Sequence, residues 1–402
     1  MSTRIPLSGW MVALALLPAM AAAQERTERE IVDLIVRDGP QAQAIRQETE
    51  VVRREQLARL AYPNPGVTYS REGAGFAEFY QAEQSLRIFG IRAALSEAGQ
   101  AATAAAASDR DAQLWALRAE ASSAVARLSA AQARTEVASG YFRDVERLIE
   151  VLRTREREGE GSRFDRLRAE QELHDARREV TAARIAAAEA NAVINGLLPR
   201  DVALGRVVPA TLAVAGQYSW DGLATRAVAA RAELRGLVHA AERADREADA
   251  ARRLRLPSPT LFGGVKRADV DSDRQFAGVF GVSVSAPLFD RGNREATRWL
   301  AERGRLETER VWIERRIRSE VEAAFIAFEL RRAAVMADQT AAGEELLQIA
   351  EVAYREGEMG ILELLDAART AWRSRIRSAE LRLEARLAEI ALERAVGEVL
   401  WL

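Results

Sequence analysis

The stretch from residue 91 to residue 158 most constrains the fold, because it contains no proline and consists largely of good helix formers. At 1.5 Å per residue, a helix of this length would extend roughly 100 Å. Such a helix cannot be an element of a compact domain, but it suits a coiled coil. The alanines from Ala104 to Ala107 would let a neighbouring helix approach closely. The sequence therefore predicts long helices that pack through narrow seams.

A glycine-bearing break ends this run at residues 157–169, and a similar break occurs at residues 355–367. Matching residues in the two breaks share one offset of 198 residues (357 − 159). The pairs are Arg157 with Arg355, Gly159 with Gly357, Asp165 with Glu363, Leu167 with Leu365, and Ala169 with Ala367. This self-similarity indicates a tandem duplication of a helical hairpin.

Each half of the chain predicts the same order of helix, strand hairpin, long helix, turn and returning helix. The first repeat covers residues 24–199, a connector covers 200–219, and the second repeat covers 220–402. In the first repeat we expect a helix over 25–61 broken at Gly39-Pro40, strands over 66–71 and 79–89, and a coiled-coil hairpin over 91–197 with helices 91–158 and 164–197. In the second repeat we expect a helix over 220–254, strands over 260–267 and 276–288, and a coiled-coil hairpin over 294–401 with helices 294–356 and 362–401. The connector residues 202–214 predict an edge strand beside the coil, because Pro209 lies within them.

The strand over 276–288 alternates apolar residues with small or polar ones. Its apolar set is Phe276, Phe280, Val282, Val284 and Leu288. This alternation is typical of a membrane barrel strand with its apolar face outside. The strand over 79–89 alternates less cleanly, since Gln84 interrupts it, and alone it would equally suit a soluble sandwich. Four strands cannot close a transmembrane barrel, because about eight is the smallest number that works, so several chains are required.

The first 23 residues are similar to a secretory signal peptide, with Arg4 before an apolar stretch and small residues before Gln24. A transmembrane anchor is the alternative, although Pro18 interrupts the short apolar stretch. The chain has no cysteine, which excludes disulfides and an acylated lipobox cysteine. Its net charge of −2 shows no basic excess that would favour nucleic acid.

The second break resembles the TolC-like outer-membrane efflux family, through Tyr354, Gly357, Ile361, Leu365, Asp366 and Ala367 in register. The resemblance implies a mainly α fold with a small β part, in which each chain contributes long antiparallel coiled-coil hairpins and four barrel strands. Three chains would form a twelve-stranded β-barrel and an α-helical tunnel. Short segments at 64–69 and 84–92 look most like the heavy-metal branch of CzcC- and CusC-like proteins.

The function that this resemblance implies is an outer-membrane exit duct of a tripartite efflux or secretion system. Such a duct is a passive gated channel rather than an enzyme, needs no cofactor, and lies in outer-membrane lipid with its helical tunnel in the periplasm. Its partners would be two further copies, a periplasmic adaptor protein and an inner-membrane pump. The substrate stays open among metal ions, drugs and secreted products.

The resemblance also assigns site residues. Glu363 and Asp366 occupy the positions of an acid ring at the gate, and Asp165 with Tyr354 occupies those of a gate latch. The adaptor-docking turns would be Gly159, Glu160 and Gly161 in the first repeat, and Gly357, Glu358 and Met359 in the second. Met359 stands where the best-known member has a basic residue, which implies a looser gate or one closed by packing.

Two other classes compete with the exit duct. A periplasmic adaptor or coiled-coil scaffold would carry one hairpin rather than two. An exported hydrolase would need catalytic residues, yet His174 and His239 are the only histidines and lie in helical charge patterns. A calcium loop at Asp269, Asp271 and Asp273 lacks the glycine and the closing glutamate of such loops.

Overall fold

The computed structural model describes residues 25–401, except 74–76, 201, 203, 213–217, 271–272 and 339. The leader predicted at residues 1–23 and Asp271 of the acidic segment lie outside these residues. The first half contains β1 (Arg26–Thr27), α1 (Glu28–Asp38), α2 (Pro40–Arg59), β2 (Gly66–Glu72), β3 (Ala77–Ser85), α3 (Ile91–Glu158), α4 (Arg163–Leu197) and β4 (Val207–Val208). The second half contains α5 (Trp220–Ala230), α6 (Ala232–Arg253), β5 (Ser258–Val270), β6 (Asp273–Ser285), α7 (Asn293–Met336), α8 (Thr340–Glu356) and α9 (Ile361–Val396). The predicted fold class, mainly α with a small β part, is confirmed.

The strand hairpins of the two halves join in one antiparallel sheet with the order β2-β3-β5-β6. Its register places apolar residues on one face: Val67, Tyr69, Tyr80, Leu261, Val265, Phe280 and Val282. All of these side chains are exposed, and Phe280 reaches 88%. The opposite face carries Gln81, Glu83, Thr260, Lys266 and Ser283. The predicted alternation is thus present, and the chain alone leaves the apolar face uncovered.

The strand limits differ from the expected ones at both ends of the sheet. β3 spans Ala77–Ser85 rather than 79–89. It ends where its partner β5 reaches Pro259, whose ring nitrogen has no hydrogen to donate to the ladder. At the other end β5 and β6 extend to Val270 and from Asp273. Residues 268–270 and 273–275, which lie between the two expected strands, are therefore strand.

The helix expected over 294–356 is interrupted between α7 and α8, whereas α3 runs unbroken for 68 residues. Asp338 lies in the interruption and accepts a hydrogen bond of 2.9 Å from the Thr340 hydroxyl at the start of α8. Aspartate is favoured just before a helix because its side chain can satisfy free backbone amides there. The prediction of one continuous helix was wrong for this reason.

Two further predictions need correction. The helix expected over 220–254 is two helices, separated at Arg231, whose extended backbone lets its guanidinium donate to the Ala395 carbonyl at the end of α9 (2.9 Å). The strand expected over 202–214 is reduced, among the described residues, to β4, which pairs in parallel with β1. Pro209 follows β4 directly and cannot donate to a ladder.

Buried apolar residues form separate clusters along the helices rather than one thick core. One cluster surrounds Ile31 and Leu117 in the first half, and another surrounds Leu223 and Ile317 in the second. A third lies near the two glycine turns and combines residues of α3, α4, α8 and α9. The two coiled-coil hairpins therefore pack together at the end where the candidate site lies.

Candidate gate at the helical tips

The two turns predicted from the repeat have the same backbone. Gly159 and Gly357 adopt left-handed conformations, with φ of 79° and 78°. In both turns the amide two residues beyond the helix donates back to a carbonyl, from Glu160 to Arg155 and from Glu358 to Ala353, each at 2.9 Å. This is the Schellman arrangement, which favours glycine because other residues are strained at such φ values. We define tip 1 as residues 153–170 and tip 2 as residues 351–368.

Ion pairs cross-link the two helices of tip 1. Arg166 of α4 donates to Glu156 of α3 at 2.5 Å and to Glu170 at 2.9 Å. Arg153 of α3 also donates to Glu170, at 3.2 Å. The hydrogen bond from Arg166 is the main reason that the pKa of Glu170 lies below its ordinary value. Tip 1 is therefore closed by charge.

Apolar side chains cross-link the two helices of tip 2. At the offset of 198 residues, Tyr354, Leu364 and Ala368 replace Glu156, Arg166 and Glu170. Leu364 is buried, and Tyr354 and Ala368 pack partly buried against the same cluster. Met359, at the position where the best-known family member has a basic residue, also packs against this cluster.

Glu363 and Asp366, the predicted acid ring, are exposed on the first two turns of α9, while Leu364 and Leu365 between them are buried. Within the described part of the chain neither carboxylate has a hydrogen bond or an ion pair. A Cβ at Gly360 would lie 2.7 Å from the Glu363 carboxylate, so this acid lies over the amino end of α9. Helix N-termini favour negative charge. Both acids are free to face another copy, and the ring itself stays a prediction.

Tyr354, one half of the predicted latch, contacts Arg155 as well as lying near Asp165. The Arg155 guanidinium lies 5.3 Å from the centre of the Tyr354 ring. Burial raises the pKa of Tyr354, the nearby positive charge of Arg155 opposes this, and the negative charge of Asp165 adds to it. No hydrogen bond joins Tyr354 to Asp165 among the described residues. The repeat contains no signal for Arg155, because its counterpart is Ala353.

The predicted docking turns differ in how tightly they are packed. A Cβ at Gly161 would lie 2.8 Å from the backbone nitrogen of Glu156, so the turn of tip 1 needs glycine there for space. Glu160 and Glu358 are both exposed at the ends of the hairpins. The turns are accessible to a partner, and their docking role stays a prediction.

Among the described residues, no group of three or more histidine, aspartate or glutamate side chains is placed to hold a metal ion. His239 lies 3.8 Å from Glu242 on the same helix, as expected for a partly solvated helix face. None of the helices in the described ranges combines the length and the apolar character needed to cross a membrane.

Comparison with known proteins agrees with this architecture. The family model for outer membrane efflux proteins matches residues 223–398. The match lies in the second half of the chain, which is similar to that family. The first half repeats its arrangement of helices and strands, and the chain as a whole has the TolC-like fold. Comparison with curated proteins gave no match.

Solved structures match this chain over nearly its whole length. The MtrE outer membrane channel of Neisseria gonorrhoeae, in its open state, is 21% identical, with a TM-score of 0.73 over 93% of this chain and 89% of that one. The CmeC outer membrane channel of Campylobacter jejuni is 12% identical, with a TM-score of 0.75 over 98% and 94%. CusC is 18% identical, with a TM-score of 0.73 over 93% and 92%. At these low identities the structural matches show the fold alone, and membership of the heavy-metal branch stays a prediction.

Proposed function

We propose that three copies of this chain form an outer-membrane exit duct for a tripartite efflux system. The duct is a passive gated channel that accepts substrate from an inner-membrane pump and a periplasmic adaptor. The observation that carries the proposal is the four-stranded sheet, which has an exposed and largely apolar face opposite a face that carries Gln81, Glu83, Thr260, Lys266 and Ser283. Exposure of such an apolar face to water is unfavourable, whereas contact with lipid is not.

The need for several copies follows from the two edges of the sheet. In one chain β2 and β6 are edge strands, and each leaves backbone groups without partners on one side. Unpaired backbone groups in lipid cost several kcal/mol each, so the edges must pair with other copies. Three copies supply twelve strands, above the minimum of about eight.

The long hairpins extend the duct away from the sheet. Five residues separate β3 from α3, which runs for 68 residues to tip 1, so the tips lie far from the membrane end. In a trimer, Glu363 and Asp366 would place six carboxylates around the closed end of the tunnel. Such a ring of negative charge attracts cations. The gate is therefore expected to be cation-sensitive.

The topology can be tested with single cysteines, because the chain has none of its own. Cysteine at Asp273, the first residue of β6, should react with an impermeant thiol reagent on intact cells. Cysteine at Glu160 should react only after the outer membrane is permeabilised. Labelling of Glu160→Cys, but not of Asp273→Cys, on intact cells would contradict the proposed orientation.

Adaptor docking can be tested at the exposed glutamates of the two turns. Gly159→Leu with Gly357→Leu should abolish export, but strain at these positive φ values could also unfold the tips. Glu160→Arg with Glu358→Arg keeps the backbone and changes only exposed charge. If the arginine variant loses export but still forms trimers and inserts its barrel, the result supports docking at the turns. Full export by this variant would contradict docking there.

A further inference from the structure

A buried polar network joins the two hairpins above the tips. Glu172 of α4 is only 4% exposed, and its carboxylate accepts a hydrogen bond of 2.6 Å from the hydroxyl of Tyr141 on α3. The guanidinium of Arg369 on α9 donates to both carboxylate oxygens of Glu172, with Nε at 3.3 Å from Oε1 and Nη2 in close contact with Oε2. Trp372, one turn further along α9, stacks on Tyr141 with ring centres 5.1 Å apart and an angle of 14° between the planes.

This network differs from the other ion pairs of the coiled coil. Among the described residues, Glu172 with Arg369 is the one ion pair that joins α3 or α4 to α8 or α9. The other ion pairs of these four helices either stay within one hairpin, such as Arg375 with Glu344 between α9 and α8, or join a helix outside the four, such as Arg386 of α9 with Glu28 of α1. The network is also absent from the repeat, because the counterparts of Glu172 and Arg369 are Thr370 and Gln171. It is therefore specific to the contact between the hairpins.

Its place on α9 connects it to the predicted gate. Arg369 lies three residues after Asp366, so the two side chains are about one turn apart on the same helix. Any movement that separates α9 from α3 and α4 at the tips must either break the contact with Glu172 or pivot about it. Breaking it would leave a charge without its partner in a buried position, which is strongly unfavourable.

We propose that Glu172 and Arg369 form a brace that fixes the second hairpin against the first and thereby sets the resting position of the gate acids. Glu172 and Arg369 are positioning residues, since they act through the placement of α9. Tyr141 orients the Glu172 carboxylate, and the Trp372 ring covers Tyr141. The effect of the brace on gating rests on the proposed function, because it requires that the chain forms a channel.

The brace predicts that the tips separate when the ion pair is removed from an otherwise folded protein. Spin labels on cysteines at Glu160 and Glu358 report the distance between the two tips of the full chain, in trimers diluted with unlabelled copies. Glu172→Gln, Arg369→Gln and the double variant should each shift the distances to longer values. Tyr141→Phe keeps the stacked ring and loses one hydrogen bond, so it should give a smaller shift in the same direction.

Arg375→Gln is the matched control, because it removes an arginine ion pair on the same helix that stays within one hairpin. It should leave the distance between the tips unchanged. In planar bilayers the fraction of time open should rise at least about tenfold for Glu172→Gln and Arg369→Gln, consistent with loss of one partner of a buried pair. The control should not change this fraction.

Failure of the brace and failure of the exit duct would give different results. Unchanged tip distances in all brace variants, with lower melting temperatures, would overturn the brace and leave an ion pair that only stabilises the fold. A wild-type protein that never conducts would contradict the exit duct instead, and the spin-label distances would still decide the brace.

Discussion

Tip 1 and tip 2 share one backbone and differ in the chemistry that closes it. Both turns use a left-handed glycine and the same pair of backbone hydrogen bonds. Charged side chains then join the helices in tip 1, where Arg166 bonds Glu156. Buried apolar side chains join them in tip 2, where Leu364 occupies the position of Arg166. The turn therefore depends on the backbone conformation of its glycine. The side chains that join the two helices depend on the packing around each tip.

The surroundings explain the difference. Leu364 and Leu365 of tip 2 belong to a cluster with Ile149 and Leu152 of α3, so α9 packs on the other hairpin. On α4, Phe164 and Leu167 are exposed, and the ion pairs of Arg166 lie at a partly solvated surface. Water screens charges at such a surface and favours apolar residues inside a cluster.

The largest effect is expected in tip 2 from Leu364→Ala. Removing a buried leucine side chain costs roughly 2–5 kcal/mol, because contacts are lost and a cavity is left. Amide hydrogen exchange at residues 351–368 should show a loss of protection of that size. Arg166→Ala should reduce the protection of tip 1 by less. An equal or greater loss of protection in tip 1 would contradict the difference between an apolar and a charged cross-link.

Alanine in place of the turn glycines should affect both tips alike. Gly159 and Gly357 have nearly the same φ, and a Cβ at either position would meet no other group within 4 Å. The cost is therefore backbone strain alone, about 1–2 kcal/mol for each residue. Hydrogen exchange on Gly159→Ala and on Gly357→Ala should give the same loss within error. Clearly unequal losses would mean that the two turns are not equivalent.

Salt should loosen tip 1 and leave tip 2 unchanged. At 1 M salt the screening length falls to about 3 Å, which weakens exposed ion pairs such as Arg153 with Glu170. Protection at residues 153–170 should fall between low and high salt, and protection at residues 351–368 should not. An Arg166→Gln variant should remove most of the salt dependence, with the Arg375→Gln variant as control.

Acid should give a smaller effect with the same asymmetry. Arg166 lowers the pKa of Glu170 below its ordinary value, which in unfolded chains is about 4.3. A lowered pKa in the folded state contributes stability that is complete above the unfolded value. That stability is lost as the pH falls through the lower folded value. Tip 1 should thus lose protection below about pH 4, and Glu170→Gln should abolish this response.

The repeat, the glycine turns, the unbroken α3 and the alternation in β6 could all be predicted, because each depends on residues close in sequence. The interruption at Asp338 could not be predicted. In a charged helical run, the sequence does not distinguish an aspartate that caps a helix from one that is exposed within it. The division at Arg231 depends on a bond to Ala395, and the brace depends on Glu172 and Arg369. Partners so distant in sequence leave no periodic pattern.

The acid ring, the latch and the docking turns came from the resemblance rather than from periodicity. The structure brings Tyr354, Asp165 and Arg155 to one place and leaves Glu363 and Asp366 exposed. The resemblance places the expected neighbours of these two acids in other copies of the chain. Tyr354→Phe with Asp165→Ala should raise the single-channel conductance if the latch operates, and an unchanged conductance would remove it.

Single-channel recording of the purified wild-type protein in planar bilayers tests the exit duct most directly. The account predicts stable conductance steps that are blocked by divalent or trivalent cations. Glu363→Gln with Asp366→Asn should weaken that block while leaving the conductance steps in place. A correctly folded and inserted protein that never conducts would contradict the account, because a channel formed by these strands and helices has to pass ions.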